Sequence, residues 1–148
     1  MAAEKVVSDR KALLMDYASI GLLAVRLVFG LTFAAHGTQK LFGWFGGYGI
    51  EGTGGFFESV GIKPGKPMVV LAGISEIAGG LLFALGLFIP VAAILIVSAM
   101  LVAIIKVTGK NGYWITAEGY EYSVAIIAVA VGVALTGPGA YALAKFIG

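Results

Sequence analysis

Apolar residues in this chain gather into four long runs separated by short polar or glycine-rich stretches. The first, Ala18 to Phe42, is 25 residues long, more than the ~20 that carry a helix across a hydrocarbon core. The others are Met68 to Phe88, Val91 to Val107 and Tyr122 to Thr136. Gly86-Leu87-Phe88-Ile89-Pro90 predicts a very tight turn between the second and third runs, with Pro90 placed to open a helix. Gly137-Pro138-Gly139 stops the fourth run. The pattern predicts an all-α integral membrane protein, a four-helix up-down-up-down bundle forming a single membrane domain over residues 1–148. Its spans are expected at about 18–42, 68–88, 91–107 and 122–136, with a polar N-terminal tail over residues 1–17 and both termini on one side.

Composition supports that class. Apolar residues make up 59% of the chain and charged residues 12%, well below the ~25% charged content of soluble domains. A soluble domain of 148 residues cannot hide so much apolar surface, whereas lipid can take water's place around it. Without cysteine, the chain can form no internal disulfide, CxxC redox centre, zinc–thiolate site or cysteine-ligated cluster. A dispersed net charge of +2 argues against nucleic acid as a partner. The N-terminus reads poorly as a signal peptide, because the apolar run is too long and no small-x-small site follows it.

Orientation is nearly balanced on positive charge. The terminal side carries Lys5, Arg10, Lys11 and Lys145; the opposite side carries Lys40, Lys63, Lys66, Lys106 and Lys110. The positives that lead the first helix favour a cytoplasmic N-terminus, and the expected location is the cell membrane. Trp44, Tyr48, Tyr113, Trp114, Tyr120 and Tyr122 fit an interfacial aromatic belt on the loop side.

Candidate chemistry concentrates in Arg26 to Lys40, RLVFGLTFAAHGTQK, which holds the chain's one histidine. A basic group at mid-depth in a bilayer costs at least ~2.5–3.5 kcal/mol unless paired or hydrated, so its partner has to be sought. At ~1.5 Å per residue, His36 lies ~9 Å and Glu76 ~12 Å from the loop-side end. Arg26 is expected deeper in the same helix, its extended side chain within reach of the same cluster. Ala72, Gly73, Gly79 and Gly80 line the Glu76 face with small residues, so that face should meet another helix. His36, Glu76 and Arg26 are therefore the catalytic candidates, with Glu76 expected to pair with Arg26 or His36. Gln39, Lys40, Lys106 and Glu121 are the ligand-binding candidates. All except Arg26 should bound one loop-side cavity, covered by the Gly43–Pro67 loop with Phe56 and Phe57. No metal site is indicated.

Structural alternatives stand beside these readings. An Arg–Glu–His cluster can be polar glue fixing helix register. Lys40, Lys106 and Glu121, near helix ends, can snorkel to the interface, the belt aromatics can be anchors, and Gln39 can cap backbone. Gly47-Tyr48-Gly49-Ile50-Glu51-Gly52 matches the GxGxxG dinucleotide pattern, but that pattern needs a strand before it and a βαβ unit around it. Here a membrane span precedes it. The segment is expected to be a flexible loop leading into a short interfacial helix at Phe56-Phe57-Glu58-Ser59-Val60.

RLVFGLTFAAHGTQKLFGWFGG, EGTGGFFESVGIKPG, the isolated glutamate of the second run, NGYW, GYEYS and the terminal GPGAY occur in that order from Arg26 to Tyr141. Together they resemble the DoxX family of small prokaryotic membrane proteins. The resemblance implies a four-helix membrane protein of the DoxX/DoxD group, linked to thiosulfate:quinone oxidoreduction and to complexes handling oxidative or thiol stress. The recurrent polar positions it implies are Arg26, His36, Gln39, Lys40, Glu76 and Glu121. The tail departs from the family ending: Ala140, Ala142 and Ala144 stand where an arginine, a serine and an aspartate are expected.

The leading functional expectation is a redox-linked membrane subunit handling a quinone-like or thiol/sulfur-linked substrate. No cofactor is visible in the sequence; a quinone is the candidate. One histidine cannot make a bis-His haem, and a His36–Met100 pair is remote. Electrons would come from a soluble redox partner protein or from a thiol or sulfur substrate. The alternatives are a non-catalytic scaffold that recruits a partner, and a small-solute or proton pathway, which would call for a homo-oligomer. The lipid bilayer is the partner common to all three.

Overall fold

A computed structural model describes residues 1–147, whose regular elements are all helical, with no strand among them. Helix α1 runs from Ala2 to Phe42, 41 residues or ~60 Å at 1.5 Å per residue. The polar segment 1–17 is helical and continuous with the first apolar run. Its Ala, Leu, Met, Lys and Glu favour the helix, and no glycine or proline interrupts it before Gly21. Gly43 ends α1 in the left-handed conformation (φ 71°), its N–H bonded to the Gln39 carbonyl. A 3₁₀ turn, Trp44–Gly46, leads to α2, Gly49–Ser59. This helix begins earlier than the amphipathic segment read from the sequence.

Helix α3 spans Gly65–Leu85. It ends in a Schellman motif: Leu87 N–H bonds the Leu82 carbonyl at 2.9 Å and Gly86 N–H the Phe83 carbonyl at 3.2 Å, with Gly86 at φ 70°. Helix α4, Ile89–Ala103, follows at once with Pro90 in its first turn. Five π-helical residues, Ile104–Thr108, continue it. Two 3₁₀ turns then lead to α5, Glu121–Thr136, and a last short helix α6 covers Ala144–Ile147. Three helical segments are long and apolar enough to cross a membrane: α1, α3 and α4 extended to Asn111. Helix α5 is apolar but only 16 residues long.

Glycine sets the closest packing. A Cβ on Gly30 would stand 2.6 Å from the Gly80 carbonyl oxygen, and one on Gly37 equally close to that of Gly73. Gly30 meets Gly80 and Gly37 meets Gly73, so α1 and α3 run antiparallel with their backbones in contact. Dispersion and close approach hold such helices together where water provides no drive. The apolar core joins Phe33, Phe83, Ile89, Ala92, Ala93, Ile96, Ile126, Ala130 and Val133 from α1, α3, α4 and α5. After α5 the chain folds back onto α1 and α3. Ala140 N–H donates to Ser19 Oγ at 3.0 Å and Leu143 N–H to the Leu85 carbonyl at 2.9 Å.

Candidate functional site

The last two turns of α1 place His36, Gln39 and Lys40 on one face at i, i+3 and i+4. Gln39 Nε2 donates to the Phe45 carbonyl at 3.2 Å, leaving its Oε1 as acceptor 2.8 Å from His36 Nδ1. Nδ1 therefore carries the proton, and Nε2 of the neutral ring remains an acceptor. The glycine turn after α1 brings Phe45 back over Gln39 and so sets the tautomer. Local sequence thus prepares the histidine.

Lys40 reaches across to α3. Its Nζ donates to both carboxylate oxygens of Glu76, at 2.8 and 2.6 Å. Glu76 is only 4% exposed, whereas Lys40 is half-buried. Two of the three ammonium donors are engaged, leaving one for another acceptor. The Gly37–Gly73 contact one turn away makes this reach possible, because it draws the two backbones together.

Beside this pair lies an open cleft of about 640 Å³. His36, Gln39 and Lys40 form one wall; Gly46, Gly47, Tyr48, Gly52, Thr53 and Phe56 form the other. Helix α2 is the cover. It is fastened to the start of α3 by Lys66 Nζ to Glu51 Oε1 at 2.7 Å and by Gly65 N–H to Glu58 Oε1 at 3.1 Å. The glycines of the GxGxxG stretch have packing roles here. Gly47 lies against the backbone of Gln39 and Gly52 against the Tyr48 side chain. No strand precedes them among the described residues.

Several sequence expectations are corrected. Glu76 pairs with Lys40, not with Arg26 or His36. Ten helical positions separate Arg26 from His36, ~15 Å of rise, so no arginine at position 26 joins the loop-side cluster. Arg26 is instead fully buried at the other end, its guanidinium against Gly86, with Nη2 donating to the Tyr141 carbonyl at 2.7 Å. Its Nε and Nη1 have no hydrogen-bond partner among the described residues. Glu76, behind Lys40, does not line the cleft, and neither do Lys106 and Glu121. Lys106 is exposed on the π-helical turn, and Glu121 Oε2 accepts the Ile115 N–H at 2.8 Å, fixing the loop before α5. Helix α2 packs on α1 and α3, whereas α4 packs on α3 and α5, so the loop-side ends of α4 and α5 fall outside the covered region.

The residues alone gave no site role to Thr53 of the cleft, to Gly86 and Tyr141 against Arg26, or to Asp16 and Ser19, which hold the fold-back segment nearer the start of α1. Tyr141 Oη donates to Asp16 Oδ1 at 2.5 Å. That bond and the aspartate charge raise the Tyr141 pKa above its ordinary 10. The signal available was the terminal GPGAY, whose fold-back onto α1 no local rule predicts.

Long apolar helices, a glycine-packed helix pair and a polar cleft at one end define a small helical integral membrane protein. The chain belongs to the DoxX family, whose model matches residues 21–109. It is 34% identical over 128 residues to the Bacillus subtilis (strain 168) protein named "Putative oxidoreductase CatD", covering 86% of this chain and 87% of that one. No solved structure matches the chain.

Proposed function

We propose that the cleft beneath α2 binds a small apolar molecule with hydrogen-bonding carbonyl oxygens, a quinone or a close analogue, as part of a redox-linked membrane system. One observation carries this reading: three hydrogen-bonding groups of α1 converge on a single cleft whose other wall holds Tyr48 and Phe56. The third Lys40 donor and the Gln39 amide are suited to carbonyl oxygens. His36 Nε2 can accept or return a proton. Glu76 offsets the lysine charge, so the site is near neutral and suits an uncharged ring better than a free anion. The name of the Bacillus subtilis relative is in keeping with an oxidoreductase role.

Reduction of a quinone to the quinol takes two electrons and two protons. The electrons would come from a soluble redox partner or a thiol or sulfur compound, because the chain has no cysteine and a single histidine. In this reading α5 is the fourth span of an up-down-up-down bundle in the prokaryotic cell membrane, with both termini cytoplasmic. The contacts of residues 139–143 with α1 and α3 support placing the termini together.

The test is mass spectrometry of the lipid extract from protein purified in mild detergent, beside His36→Ala and Lys40→Met. A stoichiometric quinone in the wild type, lost in both variants, is the expected result. A folded wild type that carries none, yet co-purifies with a stable partner, favours the scaffold reading.

A further inference from the structure

Helix α1 carries a second pattern that the bundle does not use. Counting in sevens, Val6, Leu13, Ile20 and Leu27 fall at one position, and Ala3, Arg10, Tyr17, Ala24 and Leu31 at the position three residues before each and four beyond the last. All nine are exposed, Val6 at 61% and Leu13 at 54%. This is the a/d stripe of a coiled coil, sustained over four heptads with a single polar member, Arg10. Of the buried residues of α1, Ser19, Arg26, Gly30, Phe33 and Gly37 fall at other heptad positions, and Ala34, at a d position, lies beyond Leu31, where the exposed stripe ends.

Lipid accounts for an apolar stripe at Ile20 to Leu31. It does not account for the same stripe continuing through Ala3 to Tyr17, where Glu4, Lys5, Asp9 and Lys11 flank it. Among the described residues, Asp16 is the first of α1 with a hydrogen bond to another segment, through Tyr141. The helix ahead of it therefore projects ~20 Å beyond the rest of the fold, with every side chain exposed.

We infer that this face pairs with the same face of a second copy, as a parallel two-stranded coiled coil. Two considerations select that occupant. Copies inserted the same way in one membrane have parallel α1 helices, related by an axis along the membrane normal, so the stripe meets itself in register. In that register the one polar residue finds a partner. An a-position side chain packs beside the preceding g residue of the facing helix, which sets Arg10 of each copy against Asp9 of the other. Neither residue has an ion pair within its own chain among the described residues. The six charges of residues 2–16 also sum to zero, with Glu4, Asp9 and Asp16 against Lys5, Arg10 and Lys11, so the paired extensions carry no net repulsion. The pairing rests on membrane insertion and is independent of what the cleft binds.

The cysteine-free chain makes the test direct. Single variants Val6→Cys, Leu13→Cys and Ser8→Cys are oxidised in vesicles, Ser8 lying at position f on the outer face. Cross-linked dimers are expected at Val6 and Leu13 and not at Ser8. In the Leu13→Cys background, Arg10→Asp sets two aspartates together and is expected to lose most of the cross-link, and adding Asp9→Arg to restore it. Equal cross-linking at the three positions, none at any, or a yield indifferent to the charge exchange overturns the pairing. So does a native mass larger than two chains.

Discussion

Helix α1 turns two cations inward, fourteen residues apart on one face, one fully buried and one half-buried, and the protein treats them in opposite ways. Lys40, near the loop-side end, meets a carboxylate and borders a cleft. Arg26, at the terminal-side end, meets a main-chain carbonyl, is sealed by Gly86 and the fold-back segment, and borders no opening. A compensated charge beside a cavity is free to serve a ligand. A charge closed in by backbone fixes where three chain segments meet: α1, the α3–α4 turn and the C-terminal segment. The same residue class thus marks a candidate site at one end and a structural clasp at the other. The deciding factor is which groups surround it, not its depth.

The comparison is sharpest at Glu76. Glu76→Gln leaves Lys40 without its counter-charge, and breaking such a buried pair costs ~3–5 kcal/mol; the partial exposure of Lys40 argues for the lower end. A fall in the detergent thermal midpoint, largely recovered by the paired Lys40→Met and Glu76→Leu change, is the expected outcome. An unchanged midpoint would show that the pair contributes to the site and little to the fold.

At the clasp, Arg26→Lys keeps the charge but loses the planar fork that reaches Tyr141. Loss of a charged hydrogen bond to a buried carbonyl costs about 1.5–3 kcal/mol. Quinone retention should survive this change, and proteolysis of the C-terminal segment should quicken. A substitution that empties the cleft while leaving the tail protected would reverse the assignment of the two ends. His36→Ala, by contrast, removes a partly exposed ring and is expected to shift stability by less than ~1 kcal/mol, with its effect confined to ligand content.

The smallest effect concerns Tyr141. Its phenol donates to Asp16, and the raised pKa means that the folded protein holds this proton more tightly than the unfolded chain. The contribution is therefore fully present below pH 10 and lost as pH rises through the higher folded-state value. Phenolate absorbance on alkaline titration, read against Tyr141→Phe, should show one late tyrosine that Asp16→Asn brings back toward 10. An unmoved titration would mean that the tail is not held to α1 by this bond.

Much of this architecture is legible in the residues alone. Run length and composition set the membrane class, Gly86 to Pro90 the tight turn, and the glycines around Glu76 the face that meets another helix. Each depends on interactions within a few turns of one helix, or on the transfer of a whole segment into lipid. The resemblance to the DoxX family, now matched over residues 21–109, rested on ordered motifs of the same local kind. The same residues put His36, Gln39 and Lys40 at one loop-side cavity.

Only the tertiary structure decided which charge meets which. Lys40, not Arg26 or His36, takes Glu76 because the Gly30–Gly80 and Gly37–Gly73 contacts fix the register of α1 on α3, and a pairing partner changes with a shift of one turn. The cleft opens between α1 and α2, leaving out Lys106 and Glu121, because a π-helical turn and an irregular loop decide where those side chains end up. The clasp at Arg26 depends on a segment more than a hundred residues away in sequence. Short-range preferences select helices and bury them in lipid. Contacts between distant segments depend on how backbones pack, and one chain read in order carries no direct record of that.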